Sequence, residues 1–153
     1  MHEYLAQVRW QRGAQRFSDN QYSRGHEWRF DGGLTVPASS SPLSVPLPMS
    51  VAEFVDPEEA LVASLASCHM LFFLGFASKR GWIVDDYTDD AVGIMDKNAQ
   101  GKLAITHITL RPRCVFSGDS QPSAEQLHAL HEQAHAHCYV AHSIRAEVLI
   151  EVQ

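Results

Sequence analysis

The segment Asp56–Gly81, DPEEALVASLASCHMLFFLGFASKRG, constrains this chain more than any other stretch. Asp56 is a good N-cap, Pro57 suits the first helical position, and Glu59 completes a capping-box pattern. Lys79 and Arg80 complement the negative end of the helix dipole, and Gly81 can adopt the left-handed conformation that ends a helix. Between these signals Leu61, Leu65, Cys68, Phe72 and Phe76 recur at helical spacing. From Met70 to Phe76 nearly every face is apolar, which predicts deep burial. At about 1.5 Å per residue the helix is about 35 Å long, too long to be peripheral in a chain this small. A single cysteine, Cys68, sits at its middle after small residues (Ala63, Ser64, Ala66, Ser67) that let other backbones approach.

The rest of the chain has to cover that helix. With 153 residues and 45% hydrophobic content, it reads as one domain, residues 1–153, with enough material for a core. A net charge of −6 and the lack of any Lys/Arg block argue against nucleic-acid binding. No run of about 18 consecutive apolar residues suggests a membrane span, and MHEYLAQVRW lacks a signal-peptide layout, so a cytoplasmic protein is expected. Three widely spaced cysteines, Cys68, Cys114 and Cys138, fit reactive or buried thiols better than a structural disulfide framework.

Residues 3–10 alternate as a half-buried strand, residues 15–22 suggest a short partner, and His26–Phe30 a third strand. Pro37–Ser50, with four prolines and five serines, reads as an ordered extended loop. After the helix, Trp82–Tyr87 and Ala91–Met95 are strand-like, and a turn over Asp96–Gly101 leads to a long strand over Leu103–Phe116. Ser123, with Gln126 in capping-box position, starts a second helix that runs to about His137. Ile144–Val152 alternates as a final strand. The predicted class is α+β, with antiparallel sheets packed around a long buried central helix and a second helix.

Two readings of Cys68 compete. A thiol in a buried helix is usually a small hydrophobe. The other reading draws on Cys138, in HAHCYVAHS where the chain leaves the second helix: a sulfenic acid formed on one cysteine needs a second to resolve it as a disulfide. Cys114 shares a strand face with Ile108, Leu110 and Phe116 and is expected in the core.

The segment DPEEALVASLASCH, with Glu58 ten positions before Cys68, and the run Cys138-Tyr139-Val140-Ala141-His142-Ser143 before the last strand resemble the osmotically inducible protein C and organic hydroperoxide resistance (OsmC/Ohr) family. That resemblance implies an OsmC-like fold, an intertwined homodimer with catalytic sites at the subunit interface, and no cofactor. It implies a cysteine-based peroxidase acting in oxidative stress defence, reducing alkyl or fatty-acyl hydroperoxides to alcohols. Cys68 would then be the peroxidatic thiolate and Cys138 the resolving cysteine, and an external dithiol of lipoyl or thioredoxin type would reduce the disulfide. An N-terminal arginine would hold the thiolate and the peroxide: Arg24 is the first candidate and Arg16 the second. Glu58 lies about 15 Å from Cys68 along the helix axis, so it would orient that arginine or serve a partner subunit. The alternative for Glu58 is a favourable charge at the helix N-terminus, and for Arg24 a solvated loop charge. Two features depart from the family: His69 directly after Cys68, and a longer Pro/Ser-rich stretch. Trp28, Phe72, Phe73 and Phe76 could line an apolar pocket or simply fill the core.

A metal reading competes. His131-Glu132-Gln133-Ala134-His135 is an H-E-x-x-H pattern on a helix, with His128, His137, Cys138 and His142 nearby. Histidines at i and i+4 share a face and can bind zinc, with the glutamate as general base. The bland alternative is an exposed His-rich helix face. A third class is a binding protein on the same fold with an unreactive Cys68.

Overall fold

The computed structural model describes all 153 residues, which form two compact units, Met1–Ala60 and Leu61–Gln153. In the first, strands β1 (Ala6–Arg9), β2 (His26–Phe30) and β3 (Thr35–Ala38) make an antiparallel sheet in that order. Residues 15–22 form turns rather than the strand expected there. Trp10, Phe17 and Tyr22 hold that stretch by ring contacts instead, with Phe17 and Tyr22 stacked at 4.6 Å. The Pro/Ser-rich stretch is extended and ordered, but its first residues belong to β3. Pro37 is tolerated because β3 is an edge strand. Ser39 donates its backbone N–H to Val55 O, and its hydroxyl accepts from Val51 N, so the loop is pinned at both ends.

Helix α1 (Pro57–Lys79) starts at the reciprocal cap read from the sequence. Glu59 N donates to Asp56 Oδ1 at 2.8 Å, and Asp56 N to Glu59 Oε2 at 3.3 Å. It stops at Gly81, whose φ is +75°.

The second unit wraps one side of α1. Strands β5 (Val92–Lys97) and β6 (Leu103–Leu110) form the expected hairpin, and β8 (Glu147–Ile150) adds to β6 in parallel. Strand β4 (Ile83–Asp89) pairs antiparallel with β7 (Pro112–Ser117) in a separate sheet. The single long strand expected over Leu103–Phe116 is thus two, parted at Arg111. Pro112 cannot donate to a ladder, and Arg111 N turns to Asp89 Oδ1 at 2.7 Å. Helix α2 (Ala124–His137) begins with the Ser123–Gln126 capping box and ends at Cys138.

Two apolar clusters follow from this split. Leu65 packs with Ile108, Leu110 and Cys138, while Phe73 and Ala77 pack with Leu130 and Ala134 of α2. Cys114 joins the second cluster, apart from Ile108 and Leu110, because it follows the break at Arg111. Only one stripe of α1, Leu65, His69, Phe73 and Ala77, is fully buried. The deep burial expected over Met70–Phe76 is therefore one-sided, and Leu71 is 63% exposed. The helix is long and apolar enough to cross a membrane by length and composition, yet its buried stripe is the core of this unit.

Candidate functional site

Cys68 and Cys138, 70 residues apart in sequence, are brought together where the middle of α1 meets the C-terminal end of α2. Their side chains are within hydrogen-bonding contact and both are free thiols. The two helices present them differently. Cys68 is half-buried and lines a cavity of about 410 Å³ with Ser64, Ser67, Leu71, Phe72, Tyr139 and Val140. Cys138 is fully buried behind it, against Leu65, Ile108 and Leu110.

Cys138 is also the C-cap residue of α2. Its N–H donates to His135 O at 3.2 Å, its carbonyl accepts from His142 N, and its Sγ accepts from Ala141 N at 3.4 Å. Burial first, and then the hydrogen bond with Cys68, pushes the Cys138 thiol up to about 11. It is therefore a protonated donor at neutral pH, and the neighbouring Cys68 sulfur is its acceptor. A helix end and a short 3₁₀ turn (Ala141–Ser143) fasten it in this state.

The cavity is apolar apart from the thiol and the two serine hydroxyls. Phe72 and Tyr139 meet edge-to-face at 5.0 Å and form one wall. Of the aromatic residues singled out in the sequence, only Phe72 lines it. Phe73 is in the core, Phe76 packs behind Phe72, and Trp28 belongs to β2, where its indole donates to His26 Nε2. Leu71, Tyr139 and Val140 were not anticipated. The available signal was position: Tyr139 and Val140 directly follow Cys138, and Leu71 lies three residues after Cys68, on the same helix face.

Arg24 lies in the first unit and lines a cavity of about 480 Å³ with Val8, Trp10, Phe17, Tyr22 and His26 among others. Its guanidinium sits 3.8 Å over the Tyr22 ring. It donates to Asn20 O at 3.1 Å, to Asn20 Oδ1 at 2.7 Å and to Tyr22 O. It is thus a fixed cation with no carboxylate partner, and not the solvated loop charge of the alternative reading. Arg16, by contrast, is exposed. Glu58 is half-buried in the first turn of α1 and makes no ion pair.

The HEQAH face is turned inward. His131 is 1% exposed and bonds through Nδ1 to Nε2 of His69, itself 0% exposed, at 3.0 Å. Glu132 instead faces solvent and pairs with His128 at 3.3 Å. His137 Nδ1 and His142 Nε2 donate to the backbone carbonyls of Gln133 and Ala136 on α2. Three metal-ligating side chains do not converge anywhere in the chain, so the zinc-site geometry suggested by the motif is not formed. Burial lowers His69 to about 4 and His131 to about 3, so both imidazoles are neutral at physiological pH.

With this geometry in view, the relationship to other proteins is direct. The sequence profile of OsmC-like proteins matches residues 51–153. The chain belongs to the OsmC-like family. An OsmC-like protein of unknown function from Vibrio cholerae is 51% identical, with full coverage of both chains and a TM-score of 0.99. An organic hydroperoxide resistance protein from Elizabethkingia anophelis shares the OsmC-like fold at 14% identity and a TM-score of 0.70, covering 99% of this chain and 94% of its own. The organic hydroperoxide resistance protein OhrB of Bacillus subtilis does so at 17% identity and 0.66, covering 99% and 98%. No functionally curated protein matches the chain. The OsmC-like α+β architecture, with two helices and mainly antiparallel sheets, is thus as the sequence resemblance implied.

Proposed function

We propose that this OsmC-like protein is a thiol peroxidase that reduces organic hydroperoxides to alcohols. The observation that carries the reading is the contact between a half-exposed Cys68, at the wall of an apolar cavity, and a buried, protonated Cys138. The difference in exposure supports these roles. A hydroperoxide with an alkyl or acyl body can enter between Leu71, Phe72, Tyr139 and Val140 and reach Cys68, while Cys138 is shielded from it.

The Cys68 thiolate attacks the terminal peroxide oxygen and the O–O bond breaks. The alkoxide takes up the proton lost by the thiol and leaves as the alcohol, and Cys68 becomes a sulfenic acid. The Cys138 sulfur then attacks Cys68 Sγ: the S–S bond forms, the S–O bond breaks, and hydroxide leaves with the Cys138 proton as water. An external dithiol of lipoyl or thioredoxin type reduces the disulfide by exchange. The protonated Cys138 beside Cys68 keeps the resolving proton where the departing hydroxide needs it.

Arg24 is the arginine proposed to hold the thiolate and peroxide, since its charge is fixed by neutral acceptors and unspent on any carboxylate. Glu58, too far along α1 to touch its own Cys68, orients an arginine at a site shared with a partner subunit. A homodimer also accounts for the solvent-facing side of α1, where Leu71 is uncovered in a single chain.

The deciding experiment is a thiol titration with intact mass before and after one equivalent of cumene hydroperoxide. Loss of two thiols and two hydrogens, mapped to Cys68–Cys138, is expected. Cys68→Ser should abolish turnover, and Cys138→Ser should allow one oxidation and block recycling. Unchanged thiols, or full activity in Cys68→Ser, would sink the proposal and leave a binding protein on this fold.

A further inference from the structure

His69 and His131 play no part in the chemistry above, yet they are the most unusual pair in the interior. Each is fully buried, their rings lie 3° from parallel, and His131 stacks on Phe73 at 4.3 Å. The outer nitrogens, His69 Nδ1 and His131 Nε2, have no partner at all. Two apolar side chains of similar shape would fill this space without leaving two polar atoms unsatisfied, so net stability does not explain the pair. A hydrogen bond does supply what apolar packing lacks: it fixes one helix against another in both axial offset and rotation. The placement is specific. His69 is peptide-bonded to Cys68, and His131 lies seven residues, two helical turns, before Cys138.

We propose that the His69–His131 hydrogen bond is a positioning pair that sets the register of α1 against α2, and thereby the approach of Cys138 to Cys68. The proposal rests on the peroxidase reading for its consequence, rapid disulfide closure, and on the structure alone for its geometry. The bond needs one proton between two neutral rings. Protonating one ring leaves an imidazolium that still donates to its neutral neighbour; protonating both puts two donors face to face and breaks the bond. No acid is placed to compensate. The groups around the pair are His128 and His135 on α2, with Tyr87 from β4 and, beyond Tyr87, Asp86, Asp89 and Cys114 on β4 and β7. Tyr87 Oη is itself buried and unpartnered, and Asp89 is held toward its neutral form by burial.

The test compares two double variants with the wild type. His69→Leu with His131→Leu removes both polar groups while keeping the bulk. His69→Gln with His131→Asn places amide groups near the two bonding nitrogens and cannot titrate. Two readouts are used: the rate of disulfide closure after a peroxide pulse, followed by sulfenic acid trapping, and the Cys68–Cys138 disulfide equilibrium against dithiothreitol. The leucine pair should slow closure about tenfold or more and shift the equilibrium toward the dithiol, with sulfenic acid formation nearly unchanged. The amide pair should restore both. Wild-type closure and equilibrium in the leucine pair would overturn the proposal. Should that variant fail to fold, wild-type closure and equilibrium in the single His131→Leu protein would overturn it equally. If peroxide never oxidises the wild type, the peroxidase reading fails, and the dithiothreitol equilibrium still decides the positioning role.

Discussion

At the scale of residues, the interior of the second unit is tuned by titratable groups that burial keeps neutral. The ordinary imidazole value is 6.5, and His69 and His131 sit at about 4 and about 3. An unfolded chain therefore takes up protons that the folded chain refuses, beginning near pH 6.5. Stability is fully present above that pH and is lost as pH falls toward the folded values, at about 1.4 kcal/mol per pH unit for each group. Urea denaturation midpoints between pH 7 and pH 4 should fall steeply for the wild type and much less for the His69→Leu/His131→Leu protein; equal slopes would show that other groups govern acid sensitivity. This pair also marks a limit of sequence reading. The i, i+4 histidines of HEQAH do share a helix face, as their spacing says, but spacing does not reveal whether that face meets solvent, a metal or a core. Likewise Cys68 and Cys138 were each visible as thiols in suggestive settings. Their contact is a non-local fact, signalled in the sequence only by resemblance to a family.

At the scale of elements, what was legible was local. Both helix starts and the end of α1 were read to the residue, because Asp56–Glu59, Ser123–Gln126 and Gly81 are short-range hydrogen-bonding and backbone signals. The break between β6 and β7 was not, because a single residue before Pro112 interrupts an otherwise continuous apolar alternation. The strand expected over residues 15–22 failed for the opposite reason: aromatic residues there stack on one another and need no ladder. Packing between elements has its own tight point at Gly93 on β5. A Cβ there would come within 2.6 Å of Val62 Cγ2 on α1. Gly93→Ala should therefore push the strand off the helix and cost about 1–3 kcal/mol, read as a drop in thermal midpoint. An unchanged midpoint would mean that Val62 can rotate away without loss.

At the scale of the whole molecule, the proposed dimer makes a quantitative statement about who serves whom. If Glu58 acts on the partner's thiol, Cys68→Ser and Glu58→Gln proteins are each inactive alone but complementary when co-refolded. Half of the dimers would be mixed and each would hold one intact site of two, so about a quarter of wild-type activity should return. No recovery would show that Glu58 works within its own chain or not at all, and a light-scattering mass of one chain would remove the premise. One feature reaches beyond the site itself. Cys138 is at once the proposed resolving sulfur and the residue that closes α2, with Ala141 and His142 hung on its sulfur and its carbonyl. Tethering that sulfur to Cys68 therefore rewrites the stop signal of a helix. On the proposed chemistry the molecule's oxidation state would become a backbone shape, legible to a reductase that has yet to touch either sulfur.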